Sequence, residues 1–130
     1  MTEQHLDQSS AGSRLVDFLR LTRDWVWEAD AALRLTLVSR RAVDIIGYHP
    51  DELLGRSLTD FGVFVDKHGN PKQVSMKGNF RDARFLVTDK QGEQRCLSLS
   101  AIAFFDPHTG AFQGVRGIAR SLTNSAGTVK

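Results

Sequence analysis

The sequence is poor in the residues that staple or punctuate small folds. It has one cysteine, Cys96, and three prolines in 130 residues. A single thiol excludes an intrachain disulfide, and it fits a reducing compartment, so a cytoplasmic location is expected. No apolar run approaches the roughly 18 residues of a membrane span. The opening "MTEQHLDQSSAGS" is polar and lacks the apolar centre of a signal peptide. Neither sign of charge dominates: Lys+Arg 17 against Asp+Glu 15 gives a net charge of +2. The charges interleave, as in Arg81, Asp82, Arg84, Asp89, Lys90, Glu93 and Arg95. No basic block or basic-aromatic stripe marks a nucleic-acid surface. The motifs G-x-S-x-G, H-E-x-x-H and the P-loop are also missing. The Cys and His positions lack ligand spacing, so no metal site is expected.

What is present reads as one globular domain, 41% hydrophobic and 25% charged. Residues 1–12 are polar and expected to be disordered. Over 13–23 the apolar residues Leu15, Val16, Phe18 and Leu19 recur at helical spacing, which predicts an amphipathic helix. The period then becomes two. In "DWVWEAD" Trp25, Trp27 and Ala29 alternate with Val26, Glu28 and Asp30, and "RLTLVS" alternates after a turn, with Leu35 and Leu37 on one side. Residues 24–38 therefore read as two strands. Ser39 is placed to cap a helix carrying Ala42, Val43, Ile45 and Ile46, and Gly47 stops it. "HPDELLG" is a second short helix with Pro50 in its first turn. Residues 39–79 are read as a helical cluster and loop, including the mixed segment "RSLTDFGVFV". Residues 80–122 give three strands, joined by turns at "DKQGE" and "DPHTG". Residues 124–130 form a tail or the start of a linker. The fold class is α+β: a five-stranded antiparallel sheet, a helical cluster inserted after strand 2, and an amphipathic N-terminal helix.

The alternation sorts the residues into two faces. Trp27, Ala29, Phe85, Val87, Leu97, Leu99, Ala101 and Ala119 should face the helices. They either make the core or line a cavity for a small apolar ligand. Glu28 should point outward, where Arg116 or Arg120 of the last strand can pair with it. Leu15, Phe18 and Leu19 offer a dimer surface, or pack on the chain's own sheet. The carboxylates sit at turns and helix starts, where capping and solvation explain them. His49 with Asp60 is the one pair an enzyme reading would use, and no enzyme is expected.

The stretches "DWVWEAD", "LVSRRAVDIIGYHPDELLGRSL" and "FRDARFLVTDKQGEQRCLSLSAIAFFDPHTGAFQGVRGIARSLT" resemble the PAS sensory domain with its C-terminal PAC-type half. "GYHPDELLGRS" and the closing glycines Gly110, Gly114 and Gly117 around Phe112 are the most specific parts. The resemblance is nearest to PAS modules of bacterial sensor histidine kinases and cyclic-di-GMP turnover proteins. It implies a PAS-like sheet curled over the helical cluster, with a pocket between them. Some members bind a small ligand there, and others only dimerise and relay signals to an effector domain. The flavin photoreceptor motif N-C-R-F-L-Q is absent, and the amide positions of that group fall on Val87, Leu97 and Ala119. No flavin is expected. For haem, His68 is the only candidate among four histidines, and its loop "DKHGNP" reads as exposed. The family's closing Asp-Ile-Thr is replaced by Ser121, Leu122 and Thr123. Serine can hydrogen-bond but cannot form the ion pair of the usual acid. The resemblance makes Glu28, Arg116, Arg120 and Ser121 the signal-relay candidates. It implies a homodimer through the N-terminal helix and an effector domain with histidine kinase or cyclic-di-GMP activity.

Overall fold

The structure, a computed structural model, describes residue 21 and residues 24–122. Along the chain these form β1 (Trp25–Asp30), β2 (Leu35–Val38), α1 (Arg41–Ile46), α2 (Pro50–Leu53) and a 3-10 turn (Leu58–Asp60). Then follow β3 (Gly62–Val65), β4 (Phe80–Thr88), β5 (Gln94–Phe105) and β6 (Phe112–Ser121). The strands make one sheet in the order β2-β1-β6-β5-β4-β3. Each neighbouring pair is antiparallel. The first strand thus pairs with the last, and the helices lie in the connection from β2 to β3. The expected N-terminal helix, the expected disorder of 1–12 and the tail at 124–130 lie outside the described residues, except that Leu21 is helical and exposed.

The sheet has six strands and not five. The extra one is β3, from the segment read as mixed. Gly62, Val63, Phe64 and Val65 combine high strand propensity with a place to go. Phe64 is buried, with its ring centroid 4.8 Å from Phe85 and 5.9 Å from Phe80. Gly62 is required beside them, because a Cβ there would run into the Phe85 ring. The propensity alone could not reveal the partner strand, which begins 15 residues after β3 ends.

Two local expectations also change. Leu35 and Leu37 do not share a face. A bulge shifts the register between Glu28 and Ala29, so Leu35 is buried while Leu37 is 47% exposed. Ser39 does not cap α1: the N-cap is Arg40, and the Ser39 hydroxyl accepts the Val26 N–H at 3.0 Å. That N–H leaves the β1–β2 ladder where β2 ends, so the hydroxyl satisfies a strand donor and not a helix donor.

The hairpin turns follow one rule. A leading aspartate accepts backbone N–H groups two residues on and further along. Asp30 does so for Ala32 and Arg34, Asp66 for His68 and Asn70, and Asp106 for His108 and Thr109. Asp89 is the buried case. Its Oδ1 accepts from Gln91 N at 3.0 Å and Glu93 N at 2.8 Å, and its Oδ2 from Arg95 Nε at 2.9 Å. Burial opposes its ionisation, but the Arg95 bond and the two backbone N–H groups outweigh it and hold the carboxyl below its usual range. The same turn is fastened to the helices. Lys90 N donates to Ile46 O at 3.0 Å, and Lys90 Nζ reaches Glu52 Oε1 at 2.8 Å.

Asp89→Asn should lower stability by about 1–3 kcal/mol at neutral pH in urea melts. A depressed folded pKa gives stability that is present above the unfolded value, near 3.9, and lost as pH falls through the folded value. The gap between wild type and variant should therefore hold above about pH 4 and close as pH falls below it; a gap that persists unchanged well below about pH 4 counts against the assignment. Gly117→Ala should cost about 1–3 kcal/mol. Its Cβ would lie 2.5 Å from Ser100 O and 2.6 Å from Trp27 Cζ2, so backbone or indole must move. A melt identical to wild type would contradict that packing.

Candidate functional site

The sheet's two faces are built from the same strands. On the inner face Trp25, Trp27 and Ala29 stand opposite Ala119, Gly117 and Val115 of β6. Leu97, Leu99 and Ala101 continue the face on β5, and Phe85 and Val87 on β4. Ala42, Ile46, Leu53 and Leu58 of the helical connection join them in one core cluster. None of the eight residues expected on this face exceeds 5% exposure. So little area remains that a water molecule finds almost nothing to touch, either from outside or from an internal void. The three flavin-amide positions, Val87, Leu97 and Ala119, are buried apolar side chains here.

One polar feature on this face stands out. The indole Nε1 atoms of Trp25 and Trp27 are buried and have no hydrogen-bond partner among the described residues. Buried indole N–H groups usually find an acceptor, and leaving one unpaired costs roughly 1–3 kcal/mol.

The outer face carries charge. Arg116 Nε lies 2.8 Å from Glu28 Oε1, and Arg120 Nε lies 3.3 Å from Asp24 Oδ1. Of the two partners open to Glu28, the fold gives it Arg116, because the register places Glu28 directly opposite. The Arg116 guanidinium also covers the Phe104 ring at 4.0 Å, and Glu28 Oε2 accepts from the Thr36 hydroxyl at 3.2 Å. Between the two ion pairs, Val26 stands opposite Ile118. Ile118 is 39% exposed and Ile102 of β5 is 59% exposed. They border an open groove of about 770 Å³ with Asp82, Ser100, Arg116 and Arg120. Asp82 sits in a β4 bulge at φ 54°, a left-handed conformation that Asp tolerates, and its N–H donates to Ser100 Oγ at 3.0 Å. Cys96 is buried; burial pushes its thiol up, against the opposing charge of Arg84.

The remaining expected residues are dispersed. Ser121 ends β6 opposite Leu97, and Leu122 N donates to Cys96 O at 2.8 Å, carrying the pairing one residue past the strand. His49 opens α2, where Glu52 Oε2 accepts its N–H at 2.9 Å. Asp60 caps the 3-10 turn through the Ser57 N–H at 3.1 Å. His68 lies in an exposed turn organised by Asp66. Leu15, Phe18 and Leu19 lie outside the described residues. Among the described residues no group of three or more His, Cys, Asp and Glu side chains is placed to hold a metal ion. No helix among them is long and apolar enough to cross a membrane. Sequence reasoning passed over Asp24, Leu37, Ile102 and Ile118 as surface residues. The signal for the two isoleucines was there: each is a large apolar residue at an outward position of an alternating strand.

The fold recurs in solved structures. The PAS domain of an HTR-like protein from Haloarcula marismortui matches with a TM-score of 0.69 at 19% identity, covering 93% of this chain and 99% of that one. Drosophila melanogaster Cycle PAS-B, solved with bound ethylene glycol, matches with a TM-score of 0.58 at 17% identity, over 75% of this chain and 98% of that one. The light-state dimer of the fungal blue-light photoreceptor Vivid gives a TM-score of 0.58 at 17% identity, over 75% of this chain and 77% of that one. At such identities the likeness is one of fold. The sequence itself matches the family model for the PAS domain over residues 23–124, and the chain belongs to the PAS domain family.

Proposed function

We propose that the chain is the sensory and relay module of a bacterial signal-transduction protein, working through contacts between proteins. Its output is a conformational bias passed to an effector domain. The sequence resemblance favours a histidine kinase or a cyclic-di-GMP enzyme as that effector, in the cytoplasm, with any catalysis belonging there. One observation supports the reading above others: the eight inner-face residues are sealed in the core, while exposed Leu37, Ile102 and Ile118 remain on the outer face. A sensory domain with a filled interior keeps its adjustable chemistry outside. Neither flavin nor haem enters this reading, since positions 87, 97 and 119 are apolar and His68 is exposed.

A second reading draws on the unpaired indole nitrogens of Trp25 and Trp27. A small, mostly apolar ligand carrying an acceptor atom would satisfy them, once the core opened to admit it.

The two readings separate on the purified chain. Solvent extraction with mass spectrometry and an absorbance scan should find no stoichiometric compound, and melting should not shift across a panel of acceptor-bearing metabolites. One compound per chain overturns the relay reading in favour of the second. Trp27→Ala gives an independent check: as filled core it should cost about 3–5 kcal/mol in denaturant melts. A much smaller loss points to a pocket-lining side chain.

A further inference from the structure

We infer that the groove between the β3–β4 loop and the start of β4 binds a small phosphorylated metabolite. The groove lies outside the core. It gives the relay reading an input, and its own test does not depend on that reading.

The unpaired charges carry it. Lys67, Lys72, Arg81 and Arg84 line one open groove of about 580 Å³. None of the four has an ion pair or a side-chain hydrogen bond among the described residues. Arg41, Lys90, Arg95, Arg116 and Arg120, by contrast, each have a carboxylate. Arg84 is half-buried, which raises the cost of leaving its charge unpaired. Two acids, Asp66 and Asp82, share the groove. Asp66 is already engaged: its Oδ1 accepts from His68 N at 2.8 Å and Asn70 N at 3.0 Å. Asp82 Oδ1 accepts a long bond of 3.4 Å from the Ser98 hydroxyl. Four cations against two carboxylates leave the groove with two positive charges in excess.

Both walls of the groove are held in place. Lys67 and Lys72 stand on a loop fastened by two bonds: Lys72 N donates to Phe64 O at 2.9 Å, and Asp66 N to Asn70 O at 2.8 Å. Pro71 also bridges to Val65. Arg84 stands on β4 opposite Val65. The β4 bulge puts Arg81 and Asp82 together against Ser100, where a regular strand has one residue. A phosphate group suits this arrangement. It carries close to two negative charges at neutral pH, which matches the excess. Its oxygens point in several directions, so one group can meet cations on both walls. A carboxylate offers two oxygens in one plane. The arginines can take it as forks and the lysines as point charges. Asp66 and Asp82 break up the positive surface, so a long acidic segment or a membrane would run onto them, while a compact anion sits between. The groove is open, so binding is weak and sensitive to salt.

Titrating the full chain with inorganic pyrophosphate at low salt, followed by amide NMR shifts, tests this. Saturable shifts confined to β3, its following loop and β4 are expected, with a dissociation constant of about 1 mM or tighter. Raising the salt should weaken it. Arg81→Gln with Arg84→Gln should weaken binding about tenfold or more, and Lys67→Gln with Lys72→Gln repeats the test on the loop wall. Arg40→Gln with Arg56→Gln removes the same charge from exposed cations elsewhere and should leave binding unchanged. Each variant is checked for folding by circular dichroism. A chain that shows no shift overturns the inference. So do shifts that fail to saturate, that scatter over the chain, or that respond equally to all three variants, since those report general charge attraction. Citrate bound as tightly as pyrophosphate overturns the phosphate assignment. Retention on phosphatidic acid vesicles in place of pyrophosphate binding overturns the small-molecule one. A ligand in the core would instead shift Trp27 and Phe85 and survive the arginine substitutions, so the two sites fail separately.

Discussion

The contact between Trp27 and Gly117 sets the rest of the structure. The indole lies against β6 where position 117 has no Cβ; a side chain there would meet both the ring and the Ser100 carbonyl. That fit settles which residue of β1 faces which residue of β6. Strand alternation then does the remainder. With Trp27 opposite Gly117, Trp25 stands opposite Ala119 and Ala29 opposite Val115, all on the inner face. Asp24, Val26 and Glu28 are left outside, against Arg120, Ile118 and Arg116. A slip of one residue would bury the acids and expose both tryptophans. The core and the outer charge pattern are thus one constraint seen from two sides.

The helical connection depends on the sheet in turn. Its two helices are six and four residues long, too short to be stable alone. They hold because Ala42, Ile46 and Leu53 pack into the sheet's core cluster, and because the β4–β5 turn grips them. Lys90 supplies both a backbone bond to Ile46 and an ion pair to Glu52. Asp89, one residue earlier, keeps that turn in shape from within. Residues 38 and 44 positions apart are joined by a few polar bonds around one buried carboxylate.

How much of this was legible in the sequence depended on how local the cause was. The inward set on β1, β4, β5 and β6 could be read because period-two alternation is carried by each strand alone. Gly47 and the Asp-led turns could be read because their chemistry spans a few residues. The losses were nonlocal. β3 is a strand because Phe64 meets Phe80 and Phe85, which no window around residues 62–65 contains. Leu37 faces out because of a bulge set by its neighbour strand. Ser39 serves β1 and not α1 because Val26, thirteen residues earlier, leaves a donor unpaired. The pairing of Glu28 with Arg116 was foreseen only as one of two, since the choice depends on register across 88 positions. Asp24 was seen at the edge of the aromatic stretch, but its partner was not, for the same reason.

The energies on the two faces differ enough to say where a signal can act. Opening the inner face means unpacking Trp27, Phe85 or Leu97, at several kcal/mol for each large side chain. That is a large share of the roughly 5–15 kcal/mol that holds a typical domain folded. The outer ion pairs are more than half exposed on the arginine side, and such pairs contribute about 0–1 kcal/mol each. They can exchange partners at almost no loss of stability. A bias of a few kcal/mol, the usual scale of coupling between sites, is too small to reorganise that core and ample to rearrange that surface. The division of labour in this sheet follows: β1 holds the fold with its tryptophans and keeps on its outer side the acids whose ion pairs rearrange at little loss of stability.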